Sequence, residues 1–503
     1  MRYRFSCRLV VAGLLLTAAL IGAPVDPKGA AAAPVTAEGA AELAGQIARH
    51  LSRLARTAGE GLTLQWEGTP TVAAAGAQYD VTLPNLIAID DDDGSRAMVG
   101  AVTFTVTPRD DGEFDVVGKL PGQIPLHSAK GGRVGLITIG GQRLVGLWAP
   151  RIESFHKGEG ELTGISVISE TDKSRISLAK ADFRTDLKVG TNGLWSGPTA
   201  FSASGLAITS ADGALTELGR LVLEGEVAEM DMARAEGDTG KGTQKGASAS
   251  QLRSRLDALT GLLDGFGGRV RVEGLRTGGV DPLGLGVIEL DVGVKDLNHG
   301  QAAIHVGYRH DGLTIADVGS EFTPKAARVD MTLDHLPNGR IWETLYSFSS
   351  LAPAAQDKAA PLLVQNLVRS LGEASTQLSI KTLELDTPAT ATAITGGLRF
   401  STLALMGATA DIDVQIRGLD AAITALKPAP GAAVDPAGQN SEAMLGLVQA
   451  MGQPGKDKAG NDVRTYQIKL DKKGKATLNG ADLSALLGGL QQQQSQRQQA
   501  PGR

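Results

Sequence analysis

Period-two alternation, returning between short turn signals along most of the 503 residues, constrains this chain more than any other feature. Leu62-Thr-Leu-Gln-Trp66, Tyr79-Asp-Val-Thr-Leu83 and Val102-Thr-Phe-Thr-Val106 set apolar and polar residues on alternate positions. Successive side chains of a strand point to opposite faces, so each segment predicts a strand with one dry and one wet face. Asp93-Gly94 and Asp111-Gly112 supply turns between them. Further strands are predicted at 114–119, 134–139, 143–148, 164–169, 176–189, 206–210 and 215–227. A second run follows at 270–275, 286–297, 302–308, 313–318, 327–336, 378–385, 397–405 and 410–419, with a closing hairpin over 464–478.

Helical spacing is the minority pattern. Leu43, Ile47, Leu51 and Leu54 predict a helix over 38–57, stopped by Gly59 and Gly61. Shorter helices are predicted at 340–349, 359–371 and 442–451, and leucine stripes at 252–263 and 483–490. The fold class is β-rich α+β, with mostly antiparallel sheets, an N-terminal helix and several further helices. Three strands share one pattern: Leu290-Asp-Val-Gly-Val-Lys-Asp-Leu297, Val329-Asp-Met-Thr-Leu-Asp-His-Leu336 and Ile412-Asp-Val-Gln-Ile-Arg-Gly-Leu419. Alternation puts their aliphatics on one face and the Asp on the other. Their uneven spacing excludes a regular solenoid.

The chain opens with Arg2, Arg4 and Arg8, an apolar run from Leu9 to Ile21, and small residues from Gly29 to Ala37. That order is the signature of a secretory signal peptide over residues 1–37. Val35-Thr-Ala37 places the cut after Ala37; Ala31-Ala-Ala33 is the rival, weakened by Pro34. The alternative is an uncleaved anchor, although the apolar core falls short of the roughly 20 residues that span a bilayer. Cys7, the single cysteine, precedes the apolar run and leaves with the leader. An exported chain without disulfides is held by burial and backbone hydrogen bonds. Abundant Ala and Gly, with frequent Arg, point to a GC-rich bacterial source and hence to the periplasm.

Two segments lack periodicity. Residues 231–250 read as a disordered linker between a first β-rich half (38–230, with the N-terminal helix) and a second (251–490). Residues 429–439 form another Pro/Gly/Ala linker, and 491–503 a disordered Gln-rich tail. The net charge of −6 disfavours a nucleic-acid partner, which needs clustered Lys and Arg. At 4% aromatic residues, sugar-stacking and base-stacking surfaces are disfavoured too. The remaining apolar content is aliphatic, suited to a core, an acyl chain or another apolar partner.

The motifs that could carry chemistry fail one by one. Asp90-Asp-Asp-Asp-Gly94 fails the EF-hand template, because the first and twelfth positions fall on Ile89 and Gly100. It reads as a solvated turn. His305 and His310 flank Asp311-Gly312 at a hairpin spacing, without cysteines or a Glu-bearing zinc motif. Ser177-Leu-Ala-Lys180 sits on a strand and lacks the partners of the penicillin-interacting enzymes; Gly237–Thr243 lacks the leading Gly of a phosphate loop. Trp66, Trp148, Trp195 and Trp342 read as anchors of strands and helices. The sequence therefore names no catalytic, metal-binding or cofactor-binding residue, and the chain is read as non-enzymatic.

The organisation as a whole resembles a known family. A leader and one helix precede Gly61-Leu-Thr-Leu-Gln-Trp66; Gly205-Leu-Ala-Ile-Thr-Ser-Ala-Asp-Gly213 precedes Leu221-Val-Leu-Glu-Gly225; the Asp-bearing strands and Lys475-Ala-Thr-Leu-Asn-Gly480 follow. This texture is similar to uncharacterised proteobacterial periplasmic proteins of AsmA-like character. The resemblance implies a long, strongly curved sheet with a lipid-facing groove and capping helices. It implies no catalytic residues. The expected partners are an envelope lipid or other amphiphile in the groove, or envelope proteins bound through an exposed sheet edge.

Overall fold

A computed structural model describes residues 35–57, 61–152, 154–231, 261–279, 282–315, 323–349, 353–425, 445–457 and 460–483. The leader up to residue 34, both expected linkers, most of the 252–263 stripe and the tail lie outside the described residues. The chain divides into two compact units, Met1–Val287 and Ile288–Arg503.

The first unit begins with helix α1 (Ala37–Thr57), whose first turn is capped by Thr36. The Thr36 hydroxyl accepts from the Gly39 amide at 3.0 Å, and its own amide donates to the Tyr79 hydroxyl at 3.2 Å. Eleven strands follow: β1 (Leu62–Glu67), β2 (Thr71–Ala75), β3 (Gln78–Thr82), β4 (Asn85–Asp90), β5 (Arg96–Gly100), β6 (Thr103–Pro108), β7 (Phe114–Lys119), β8 (Gln123–His127), β9 (Arg133–Thr138), β10 (Gly141–Ala149) and β11 (Ser154–Ser169).

Strand β11 is a fork. Along its first half one edge pairs with β10 (Leu144↔Gly160), and along its second half the same edge pairs with β9 (Ser166↔Thr138). The change of partner falls at Gly140 and Gly164. Gly164 adopts φ +61°, and a Cβ there would lie 3.6 Å from the Gly140 Cα, so two glycines let the strands part. One branch then runs β10–β7–β6–β3–β2 and the other β9–β8–β5–β4–β1, every pairing antiparallel. Helix α1 touches β1 and β2, the last strand of each branch. Leu43, Leu51 and Leu54 of the helix share one buried core with Val81 and Val106 of one branch and Leu86 and Leu126 of the other.

Beyond the fork the sheet continues through β12 (Arg175–Asp186), β13 (Lys188–Val189), β14 (Trp195–Thr209), β15 (Leu215–Met230) and β16 (Gly265–Thr277). β15 pairs directly with β16, Leu223 opposite Val270. The expected linker at 231–250 therefore lies between two paired strands of one unit rather than between two domains.

Strand β17 (Leu283–Lys295) runs across the division between the units. The second unit holds β18 (Ala302–Asp311), β19 (Thr314–Ile315) and β20 (Ala326–Leu336), then α2 (Asn338–Ser349) and α3 (Pro353–Ala374). Next come β21 (Gln377–Asp386), β22 (Ala391–Phe400), β23 (Ala408–Arg417) and α4 (Leu419–Ala425). It closes with β24 (Gln453–Lys456), β25 (Asp462–Leu470), β26 (Ala476–Leu478) and β27 (Ala481–Asp482). β18–β20–β21–β22–β23–β25 form one antiparallel ladder.

The β-rich antiparallel class and the N-terminal helix stand as expected. Strong curvature does not: the sheet is not strongly curled. Bulges bend a sheet; in this ladder they fall at Ala302/Ile304, Asp330/Met331 and Ile380/Leu383, while β22–β23 and β23–β25 pair without a shift.

Candidate functional site

The ladder of the second unit sorts its side chains by pairing. Ile304, Val306 and Tyr308 oppose Leu333, Met331 and Val329; these oppose Leu378, Ile380 and Leu383. The row continues through Leu398 and Ile394 to Ala410 and Val414, and on to Leu470 and Tyr466, with Ile412 opposite Ile468. One face is therefore aliphatic across six strands. Of these residues only Tyr466 is buried; the rest are half-buried, and Leu385 at the strand end is exposed. Helix α3 (Pro353–Ala374) runs near part of this ladder. It touches β20 and β22, and its Gly372 lies against Ser401 and Thr402 beyond the end of β22.

The opposite face is charged. The Asp of the repeated pattern lies here: His305 Nδ1 is 3.0 Å from Asp291 Oδ1, and its Nε2 is 3.3 Å from Asp330 Oδ1. Lys381 Nζ stands 3.7 Å from the same Asp330 oxygen, and the Gln467 amide donates to Asp413 at 3.4 Å. The aspartates thus knit neighbouring strands on the wet side, as one strand type repeated against like neighbours requires. His310 points to the other side, its Nδ1 3.0 Å from the Tyr308 hydroxyl, so the two histidines do not converge on one site.

The other sequence candidates resolve locally. Asp90 is buried and accepts from the Asp92 amide at 2.9 Å, while Asp93 accepts from the Ser95 amide at 2.9 Å. Asp90 and Asp93 thus close their own turn, and Asp91 accepts from the Thr63 hydroxyl of β1 at 2.7 Å. Lys180 Nζ pairs with Glu161 (2.9 Å) and Asp182 (2.8 Å), on the strand face away from the core. Trp148 and Trp195 are buried in separate apolar clusters, as anchors.

A cavity of about 40 Å³ lies beneath α1, lined by Leu43, Ile47, His50, Phe104, Trp148 and Phe155 among others. It is apolar, and His50 meets Trp148 edge-on at 5.2 Å. Its volume suits a water molecule and not an acyl chain. The extended apolar surface of the molecule is the sheet face instead. Alternation predicts much of that face; that its members, Tyr466 apart, stay half-buried is visible only in three dimensions.

No family model matches the chain, and neither a curated protein nor a solved structure does. Among the described residues, no helix is long and apolar enough to cross a membrane.

Proposed function

We propose that the protein is an exported, non-enzymatic binder of lipid or another envelope amphiphile, holding the apolar part on the aliphatic face of β18–β25. The observation that carries this reading is the six-strand aliphatic row whose members stay half-buried. Each methylene taken out of water against such a face contributes about 0.8 kcal/mol, with no need of directed polar contacts. The scarcity of aromatic side chains favours flexible acyl chains over stacked rings. A ladder that is not strongly curled offers a broad seat, so the ligand lies across a face rather than in a deep trough. A periplasmic address agrees with the leader at residues 1–37. An alternative seat for a protein partner, a long unpaired strand edge, is blunted here: β25 is flanked on its outer side only by the short β24 and β26.

Met331 sits at the middle of the row, opposite Val306 and Ile380. Native mass spectrometry of the exported protein, purified gently, is expected to show a stoichiometric phospholipid mass. Met331→Asp is expected to lose that mass while melting within a few degrees of the parent. A clean apo mass, with no uptake after incubation with phospholipid, overturns the reading.

A further inference from the structure

The most exposed large apolar side chains of the described chain cluster on one tight loop of the second unit. Between β22 and β23, Leu403 is 81% exposed, Leu405 78% and Met406 65%. A soluble loop tip ordinarily carries small or polar residues, so three large apolar ones together call for a partner. The loop is also held in shape. The Ser401 amide donates to the Gly407 carbonyl at 2.9 Å, the Gly407 amide to the Ala404 carbonyl at 2.9 Å, and Ala404 beneath them is buried. Its base rests on α3, where the Val368 side chain lies so close to Gly407 that no Cβ would fit there.

What surrounds the tip identifies the partner. The Leu405 amide donates to the Lys472 carbonyl at 2.9 Å, and a Cβ on Gly474 would lie 3.1 Å from Met406 Cγ and 3.3 Å from Leu405 Cδ2. The neighbouring hairpin, Asp471-Lys-Lys-Gly-Lys475, thus stands directly beside the apolar tip, with Lys472, Lys473 and Lys475 exposed. Its one carboxylate is turned inward to the hairpin: Asp471 Oδ1 accepts from the amides of Lys473 (2.8 Å) and Lys475 (2.9 Å). One helical turn before Val368, Val364 of α3 is 59% exposed and extends the apolar surface. Apolar side chains at the summit and lysines beside them match the two layers of an anionic bilayer, acyl chains below and phosphate headgroups above.

We propose that the 401–407 loop docks the protein onto an anionic phospholipid bilayer, with Leu403, Leu405 and Met406 entering the interface and Lys472, Lys473 and Lys475 meeting headgroup phosphates. This goes beyond ligand binding on the sheet face and stands whether or not that face carries a lipid.

Flotation of the exported protein with vesicles of phosphatidylethanolamine and phosphatidylglycerol tests it, with phosphatidylcholine vesicles as the neutral comparison. The expected result is binding to the anionic vesicles that weakens as salt is raised. Leu403→Asp/Leu405→Asp should reduce bound protein about tenfold or more, and Lys472→Glu/Lys473→Glu should bring binding down to the neutral-vesicle level. A local readout removes any contribution of the leader. An environment-sensitive fluorophore on Leu405→Cys, in a Cys7→Ser background, should shift to the blue on adding anionic vesicles. Met331→Asp should float like the parent, which keeps this test separate from that of the sheet face. Unchanged flotation in both double variants, or a fluorophore that reports water throughout, overturns the proposal. So does a dimer in sedimentation that Leu403→Asp/Leu405→Asp makes monomeric, because the tip would then serve a protein contact.

Discussion

The first eleven strands and the ladder of the second unit are written in the same alternating code, yet one is sealed and the other open. In the first unit β11 divides its edge between β10 and β9, and the two branches share a core with α1. Each dry face there meets another dry face. In the second unit the strands form one ladder, and no member of its aliphatic row except Tyr466 is buried. The transition is visible within a single row of cross-strand partners: Phe183, then Phe201, then Leu223, then Val270. Phe183, next to the fork, is 9% exposed, and Val270, three strands away, 40%. Alternation specifies that a strand has a dry side. The fork decides whether that side becomes a core or a surface.

Truncations on the two sides should break this contrast or sharpen it. Leu86 of β4 is fully buried between the branches, and Leu86→Ala should cost about 2–5 kcal/mol by leaving a cavity. Met331→Ala, on the half-buried face, should cost about 1 kcal/mol, because only part of its surface leaves water on folding. Urea unfolding of the two variants compares them directly. Equal losses would mean that the second unit is sealed in solution.

A smaller effect is expected at the entrance to α1. Thr36→Ala removes the hydroxyl that accepts from the Gly39 amide and should cost about 1 kcal/mol. The same contact bears on processing. A cut after Ala37 discards Thr36, and a cut after Ala33 keeps it together with its bond to Tyr79. N-terminal sequencing of the protein isolated from cells decides between them, and a mature chain that starts after Ala37 should melt below Thr36→Ala, because it also loses the Thr36 amide's bond to Tyr79 and the carbonyl that accepts from Ala40.

Much of this was legible from residue order, and the exceptions are instructive. Strands such as β1, β3, β6 and β20 have one wet face and read cleanly. Strand β4 carries no such signal: Leu86, Ile87 and Ala88 are all buried, so no alternation marks Asn85–Asp90. The first half of β14, Trp195 to Ser204, is rich in small residues and gives little contrast between its faces. The strand expected at 397–405 is displaced. β22 ends at Phe400, and the apolar residues that extended the pattern, Leu403 and Leu405, belong to the exposed tip instead. Most of the aliphatic face was legible from the sequence, though Ile394 lay outside the expected strand. Its openness was not, because that depends on where α2 and α3 rest rather than on what the strands contain.

The weakest test asks whether the two regions differ anywhere besides their faces, and the hairpin tips answer it. Between β11 and β12 the Ser169 and Ser174 hydroxyls hold the Asp172 carboxyl below the usual carboxylate range. Between β14 and β15 the Ser210 hydroxyl and then the Ala214 amide do the same for Asp212. Both turns lie in the first unit, one next to the fork and the other two strands further along the sheet. Each depressed pKa stabilises the folded state above the unfolded value near 3.9, and that contribution is lost as pH falls through the lower folded value. Asp172→Asn and Asp212→Asn should therefore each lower the melting temperature slightly at neutral pH, with the difference from the parent shrinking as the pH drops below about 4. The two variants should behave alike, since a hairpin tip is governed by hydrogen bonds within five residues and is indifferent to what covers the sheet. A loss at Asp172 clearly larger than at Asp212 would show that the sealed layer reaches the tips as well, and the fork would then shape more of the first unit than its core.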